Sequence, residues 1–409
     1  MTGAPLWRTH SCAMPLSFPN IGNTAEFVGQ DGILPHIRHL ASLNRYTCSV
    51  VGKVSGIAHS CVPGSQGAPL ARALFYSGVR GIMRQIVLES PRQFVGHVVP
   101  PVVRQPDEAL VRLHRVVICG SDWHAFEGHQ ANYTFPRIIG HELSCEVLEV
   151  PRNSRGIKPG DRCAIEPHLT CGVCRPCRLN RPNCCENMKV LGVHVDGGMR
   201  GLMNVPVERL YKSDRLSYDQ LALVEFLTIG AHAVARSGLL AGEDALIVGA
   251  GPIGLSVLQF ALMAGASARI IEKVEFRRQF AGRFGVEVLP DYDGRPATVV
   301  FDCTGDEQAI TASFDRVGPA GRLVLVGQFL GFIPFDHTPF IRRELDIMAS
   351  RNSHHQFPRV IGMVERGEID VDPWISVRLP LAAVPEEFPK LASHKNYIKA
   401  IFEVEDSDV

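Results

Sequence analysis

Cys171, Cys174, Cys177 and Cys185 follow a C-x2-C-x2-C-x7-C spacing. Four thiolates so close together suit a closed tetrahedral Zn2+ site, and the short gaps gather them at little loop-closure cost. Cys184 could replace Cys185 by a one-residue slip, whereas Cys12, Cys48, Cys61, Cys163 and Cys303 read as ordinary thiols. A second set lies upstream, in Cys119-Gly120-Ser121-Asp122-Trp123-His124 and Gly140-His141-Glu142. A catalytic zinc needs mixed sulfur, nitrogen and oxygen ligands with one position left open. Cys119 and His141 supply thiolate and imidazole, Glu142 offers a carboxylate nearby, and Glu225 in "VEFLTIGAHAV" could complete the set. Each residue alone has a plain structural reading. What favours a metal is their joint occurrence upstream of the four-cysteine lobe and of a nucleotide fingerprint.

That fingerprint is Gly249-Ala250-Gly251-Pro252-Ile253-Gly254, a G-x-G-x-x-G run between a buried strand, "DALIV", and a helical pattern. The first glycine permits the turn, the second lets backbone amides reach a pyrophosphate, and the third lets helix pack on strand. The helix N-terminus adds partial positive charge for the phosphates. A second strand, "ARIIE", ends at Glu272, whose carboxylate would accept bonds from a ribose and repel a 2′-phosphate. NAD is therefore expected over NADP, although Lys273 and Arg277 keep NADP in view. Between "VEVLP" and "ATVVF" the chain is too short for a helical crossover, so the third crossover helix is expected to be missing, or the third strand vestigial.

At 409 residues, with Lys plus Arg equal to Asp plus Glu at 42 each, the chain has room for two cores and no net field. Neither nucleic acid nor a membrane surface is an expected partner. No apolar run approaches a membrane span, and no secretory signal opens the chain, so the clustered cysteines point to a reducing, cytoplasmic setting. Residues 1–82 carry no sustained period and read as a poorly ordered extension, or as the product of a misplaced start before Met83. From 83 to 230 the texture is β-rich, as in "SCEVLEV" and "DRCAIEP"; from 231 to 345 it alternates strand and helix. Residues 346–409 return to mixed short elements. A β-rich domain split by an inserted nucleotide-binding domain fits this order.

In these residues the chain resembles the zinc-containing medium-chain dehydrogenase/reductase (alcohol dehydrogenase) family, over about residues 83–407 and in the family's order. "CGSDWH", "GHELSCEV", "KPGDRCAIEP", the cysteine lobe, "LGVHVDGGM", "EFLTIGAHAVARSG", "GAGPIG", "GRLVLVGQF" and "SRN" carry the likeness. Glu225, where other branches often place a cysteine, is similar to the sorbitol, threonine and sugar-acid dehydrogenase branch. The resemblance implies an α/β protein: a GroES-like β-rich catalytic domain with an inserted Rossmann dinucleotide-binding domain. It also implies an NAD(P)-dependent zinc alcohol dehydrogenase acting on CH-OH groups of a small polar alcohol, with one catalytic and one structural zinc, in a homodimer or homotetramer.

By that resemblance Cys119, His141, Glu142 and Glu225 surround the catalytic zinc, with Glu142 or a water exchanging during turnover. Asp122 orients a ligand histidine. Ser121 bonds the substrate hydroxyl, and His124 passes its proton towards solvent. Thr304 in "DCTG" and Val326-Gly327 flank the nicotinamide, and His194 lies near the cleft. Arg351 could meet a substrate carboxylate bidentately. A polyol or sugar acid is the expected substrate, with L-threonine as the alternative. Three departures stand out: Cys145 in place of the family's glycine, Glu225-Phe226 in place of Glu-Pro, and the short crossover. A non-catalytic NAD-binding homologue that keeps the lobe for folding is the contrasting reading; Cys119 and His141 disfavour a zinc-free quinone reductase.

Overall fold

The computed structural model describes residues 81–129, 133–393 and 396–409, so the expected N-terminal extension lies outside the described residues except for Gly81 and Ile82. Met83 opens β1 (Met83–Ser90), which pairs antiparallel with β2 (Gln93–Val99). β3 (Glu108–Val117) runs into α1 (Gly120–Phe126), followed by β4 (Glu142–Glu149), β5 (Arg162–Ile165) and β6 (His168–Leu169). After α2 (Arg175–Arg178) come β7 (Lys189–Val190), β8 (Leu202–Pro206) and β9 (Leu210–Lys212). α3 (Tyr218–Ala222) and α4 (Val224–Ser237) lead to β10 (Asp244–Val248), α5 (Pro252–Met263) and β11 (Ser267–Ile271). β12 (Glu287–Leu289), β13 (Ala297–Asp302), β14 (Val317–Leu325) and β15 (Asp346–Ala349) follow. β16 (Ile375–Pro380) and β17 (Lys399–Glu403) close the chain.

Two sheets carry the site. The first has the order β16-β17-β3-β4-β5-β9, with β8 also pairing to β3. Ala109, Val111 and Leu113 of β3 are fully buried there, as a central strand requires. Each buried Val or Leu contributes ~1.5–3 kcal/mol relative to exposure. The second sheet, β12-β11-β10-β13-β14-β15, is parallel throughout. Its central strands are apolar on both faces because helices cover both. Strand order reverses between β10 and β13, which places a ligand crevice at their carboxyl ends.

The expected boundary at 345 cuts through this sheet. β15 pairs in parallel with β14, so the nucleotide sheet runs on to Ala349. The short, largely exposed "DIMA" lacks the apolar run that marked the other parallel strands. α4 likewise spans residue 230 without a break.

Residues 290–296 join β12 to β13 with no helix, and β12 is only three residues long. The two features explain each other, because a stub strand leaves little distance for the chain to retrace. Arg269 of β11 supplies the missing tie. Its buried guanidinium donates to the carbonyls of Arg295 (2.6 Å) and Pro296 (3.1 Å) and to Asp244 Oδ2 (3.3 Å) and Asp293 Oδ1 (3.4 Å).

Candidate active site

The β3–β4 register builds the first cluster. Val117 lies opposite Glu142, so the chain leaving β3 at Cys119 meets the chain entering β4 at His141. Cys119 Sγ, a His141 ring nitrogen and a Glu142 carboxylate oxygen lie within 4.8 Å of one another. Asp122 secures the geometry. One oxygen accepts the Cys119 N–H at 2.9 Å across the first turn of α1, and the other stands 3.6 Å from His141 Nδ1. Both Asp122 Oδ1 and His141 Nδ1 are buried without a hydrogen-bond partner among the described residues. Burial alone would lower the His141 pKa, but the negative charges of Asp122 and Cys119 overcome it and raise the value well above the ordinary one. The pocket is thus arranged for a cation. Thiolate, imidazole and carboxylate together are a donor set that suits zinc, and a bound ion would set the imidazole against Asp122.

Glu225 stands outside this group. Its carboxyl is buried at the start of α4, and burial plus the Glu142 charge push its pKa to about 7, against the pull of His141 and Lys399. The ion pair that Glu142 makes explains part of this. Lys399 Nζ lies 2.5 and 2.6 Å from the two Glu142 oxygens, 3.3 Å from the Ile118 carbonyl, and 4.5 Å above the Phe226 ring. Phe226, the residue in place of proline, therefore forms a wall for that ammonium and packs on Trp374 at 5.1 Å. Lys399 is 1% exposed and carried no signal in the sequence analysis, since an isolated lysine in a strand near the end reads as surface.

Ser121 is half-buried on α1 and His124 is exposed one turn on. Two further groups in this region were missed. Among the described residues, Tyr133 is buried with its Oη unpartnered, and His168 with its Nδ1 unpartnered. Burial and the positive charges of His141, Arg209 and Arg351 lower His168 to about 3, so it is neutral. Arg351 also acts on His194, which is exposed and accepts the Val190 N–H at 3.1 Å through Nδ1. Cys145 is accommodated in the core of the first sheet, opposite Cys163 across β4 and β5, and both are free thiols.

The four-cysteine lobe is closed. Sγ separations are 3.4 Å for Cys174–Cys177, 3.8 Å for Cys174–Cys185 and 3.5 Å for Cys171–Cys185, with no disulfide. Thiolates about 2.3 Å from a tetrahedral ion stand close to this far apart. Cys185, rather than Cys184, completes the set. Backbone N–H groups of Val173 and Cys174 pull the Cys171 thiol down to about 6, a polarity that favours ligation. The lobe also grips the segment after β15. Asn183 Nδ2 donates to the Arg351 carbonyl at 3.1 Å, His354 Nε2 to the Asn180 carbonyl at 2.7 Å, and His355 Nε2 lies 3.0 Å from Asn180 Oδ1.

At the nucleotide crevice, Gly249 adopts φ +94°, and a Cβ at Gly254 would fall 1.8 Å from the Gly249 carbonyl oxygen. Only glycine fits either place. Gly251 caps α5 with Pro252 and Ile253 in its first turn, so the amide-rich helix end faces the crevice. Glu272 Oε2 accepts the Ala250 N–H and Oε1 the Val274 N–H, each at 2.8 Å. Thr304 donates to Asp302 Oδ1 through N (3.1 Å) and Oγ1 (2.9 Å), while the N–H groups of Val326 and Gly327 both bond the Asp302 carbonyl at 2.9 Å. These residues therefore sit side by side at the carboxyl ends of β13 and β14, and Thr304 borders Gly249.

Comparison with known proteins agrees with this geometry. Residues 105–215 match the alcohol dehydrogenase GroES-like domain, and residues 252–366 match the zinc-binding dehydrogenase family. The chain is 31% identical to L-galactonate-5-dehydrogenase of Escherichia coli (strain K12) over 334 residues, 78% of this chain and 98% of that one. It is 31% identical to L-arabinitol 4-dehydrogenase of Aspergillus niger over 326 residues, 71% and 83% of the two chains. An alcohol dehydrogenase from Escherichia coli CFT073, solved with NADH, superposes with a TM-score of 0.75 at 25% identity, covering 79% of this chain and 100% of that one. Among the described residues no helix is long and apolar enough to cross a membrane.

Proposed function

The chain belongs to the zinc-containing medium-chain dehydrogenase/reductase family, and on that premise we propose that it oxidises a secondary alcohol of a sugar acid or polyol with NAD. The observation that supports this most is the convergence of Cys119, His141 and Glu142 on one buried, anionic pocket. Those three would hold the catalytic zinc, with Glu225 close enough to act on whatever occupies the remaining position. When bound, zinc supplies a Lewis acid that lowers an alcohol's pKa and stabilises charge on its oxygen.

The chain's own residues do the rest. Ser121 Oγ takes the proton of the substrate hydroxyl, and exposed His124 delivers it to solvent. Asp122 keeps His141 oriented, and Lys399 balances Glu142. The carbinol carbon gives up its hydride at the carboxyl ends of β13 and β14, where Thr304 and Val326-Gly327 border the nicotinamide position. Arg351, whose positive charge is felt at the neutral imidazoles of His168 and His194, is the group here that suits a carboxylate. The nucleotide-binding domain would then run on to Ala349, with the catalytic domain completed by the segment after it, and the free thiols fit a cytoplasmic setting.

Turnover of a panel of sugar acids, polyols and L-threonine, followed as NADH release, tests the reading alongside metal analysis. The expected result is reduction of NAD with a sugar acid or polyol and about two zincs per chain. No reduction with any of them and about one zinc per chain would instead mark a nucleotide-binding homologue. Light scattering on the same sample reads the oligomer. β15 is a sheet edge with exposed Phe332, Ile341 and Ile347 nearby, and a second copy is the expected cover.

Glu272 sets the cofactor. Its two backbone bonds hold the carboxylate beside the glycine turn, where a ribose would meet it. Glu272→Ser is expected to lower kcat/KM for NAD by about ten- to a hundredfold, on the strength of hydrogen bonds to a charged group, while NADP use rises. Unchanged NAD kinetics would remove Glu272 from the cofactor site.

A further inference from the structure

Tyr133 carries a hydroxyl that no step above uses. The residue is 7% exposed, and its Oη is buried with no hydrogen-bond partner among the described residues. The Ser121 hydroxyl is its hydrogen-bonding neighbour, although not close enough to satisfy the oxygen, and the charges of Asp122 and Cys119 act on it. The ring packs in the core of the first sheet, a task phenylalanine would perform equally well. The oxygen is what needs a reason. A buried phenol has surrendered its bonds to water, and proteins seldom leave such a group unpaired unless a partner arrives. Burial and the adjacent negative charges keep the phenol neutral, so it can donate as well as accept.

We propose that Tyr133 Oη binds the hydroxyl on the carbon next to the reacting carbinol, which makes it the residue that selects vicinal diols over simple alcohols. The inference rests on the reading of Cys119, His141 and Ser121 as the reacting centre. With Ser121 on the reacting hydroxyl and Tyr133 beside Ser121, the adjacent hydroxyl is the group that a polyol or sugar acid brings to that position. A monoalcohol offers nothing there and leaves the phenol unpaired, which is the condition under which a site rejects an analogue most strongly.

The test uses (R,R)-2,3-butanediol and 2-butanol, which differ by that one hydroxyl, on the zinc-loaded full chain and its Tyr133→Phe variant. kcat/KM is measured with NAD, and dissociation constants of both ligands for the NADH complex are measured by calorimetry. The wild type is expected to favour the diol by about ten- to a hundredfold, and Tyr133→Phe to erase that preference by lowering kcat/KM for the diol to near the value for 2-butanol. A preference that survives in Tyr133→Phe, an equal loss on both ligands, or no preference in the wild type would overturn the proposal. Should neither alcohol be oxidised, the panel of sugar acids and polyols decides the catalytic reading, and the two dissociation constants still decide the role of Tyr133.

Discussion

Cys119→Ser is expected to lower kcat/KM by about a thousandfold or more while NADH affinity stays within about threefold of the parent. The serine hydroxyl is neutral, so the pocket loses one of the anions that hold a cation against His141. Asp122 would still tie the first turn of α1 through the backbone of residue 119, so the fold around the site persists. Steady-state rates, a fluorescence titration with NADH and metal analysis on one preparation read the three parts separately. Metal content should fall by one ion per chain with the melting temperature nearly unchanged. A variant that kept turnover within about tenfold of the parent would show that this cluster is not the reacting centre.

The second large effect belongs to the other cluster and has the opposite signature. Cys174→Ser should lower the melting temperature by about 5–10 °C, from a loss of ~3–4 kcal/mol at roughly 2 °C per kcal/mol for a body of this size. Apart from the bonds of Asn180 and Asn183 to the segment after β15, little else among the described residues orders residues 171–185. α2 has four residues and the following 3-10 turn three, far too short to persist alone. Calorimetry against metal content checks this. A Cys174→Ser chain that melted with the parent and retained both ions would remove the lobe from the stability of the enzyme.

Local spacing made much of this legible. The cysteine lobe and the glycine turn are each contained in a short stretch, so residue type and interval carry the geometry almost directly. The missing crossover helix was legible by length alone, because residues 290–296 cannot hold one. What escaped was set by pairing at a distance. Lys399 meets Glu142 across 257 positions, and only the β17–β3–β4 order brings them together. Glu225 was expected among the ligands because its type and order fit, yet the distance to the other three depends on how α4 packs, which no interval encodes. Tyr133 and His168 belong to no motif, and only their polar atoms, unpaired among the described residues, distinguish them. The β15 boundary failed for a related reason, since an exposed edge strand has no apolar run to announce it.

Hydrogen bonds donated by Asn183 and accepted by Asn180 join the cysteine lobe to the segment carrying Arg351. If Arg351 meets a substrate carboxylate as proposed, an ion held by the lobe, away from the substrate, would govern how stiffly that segment is braced. A chain starved of zinc at the lobe alone would keep its chemistry in the cold yet grip acidic substrates loosely. Its apparent preference between sugar acids and neutral polyols would drift with metal supply before its activity disappeared.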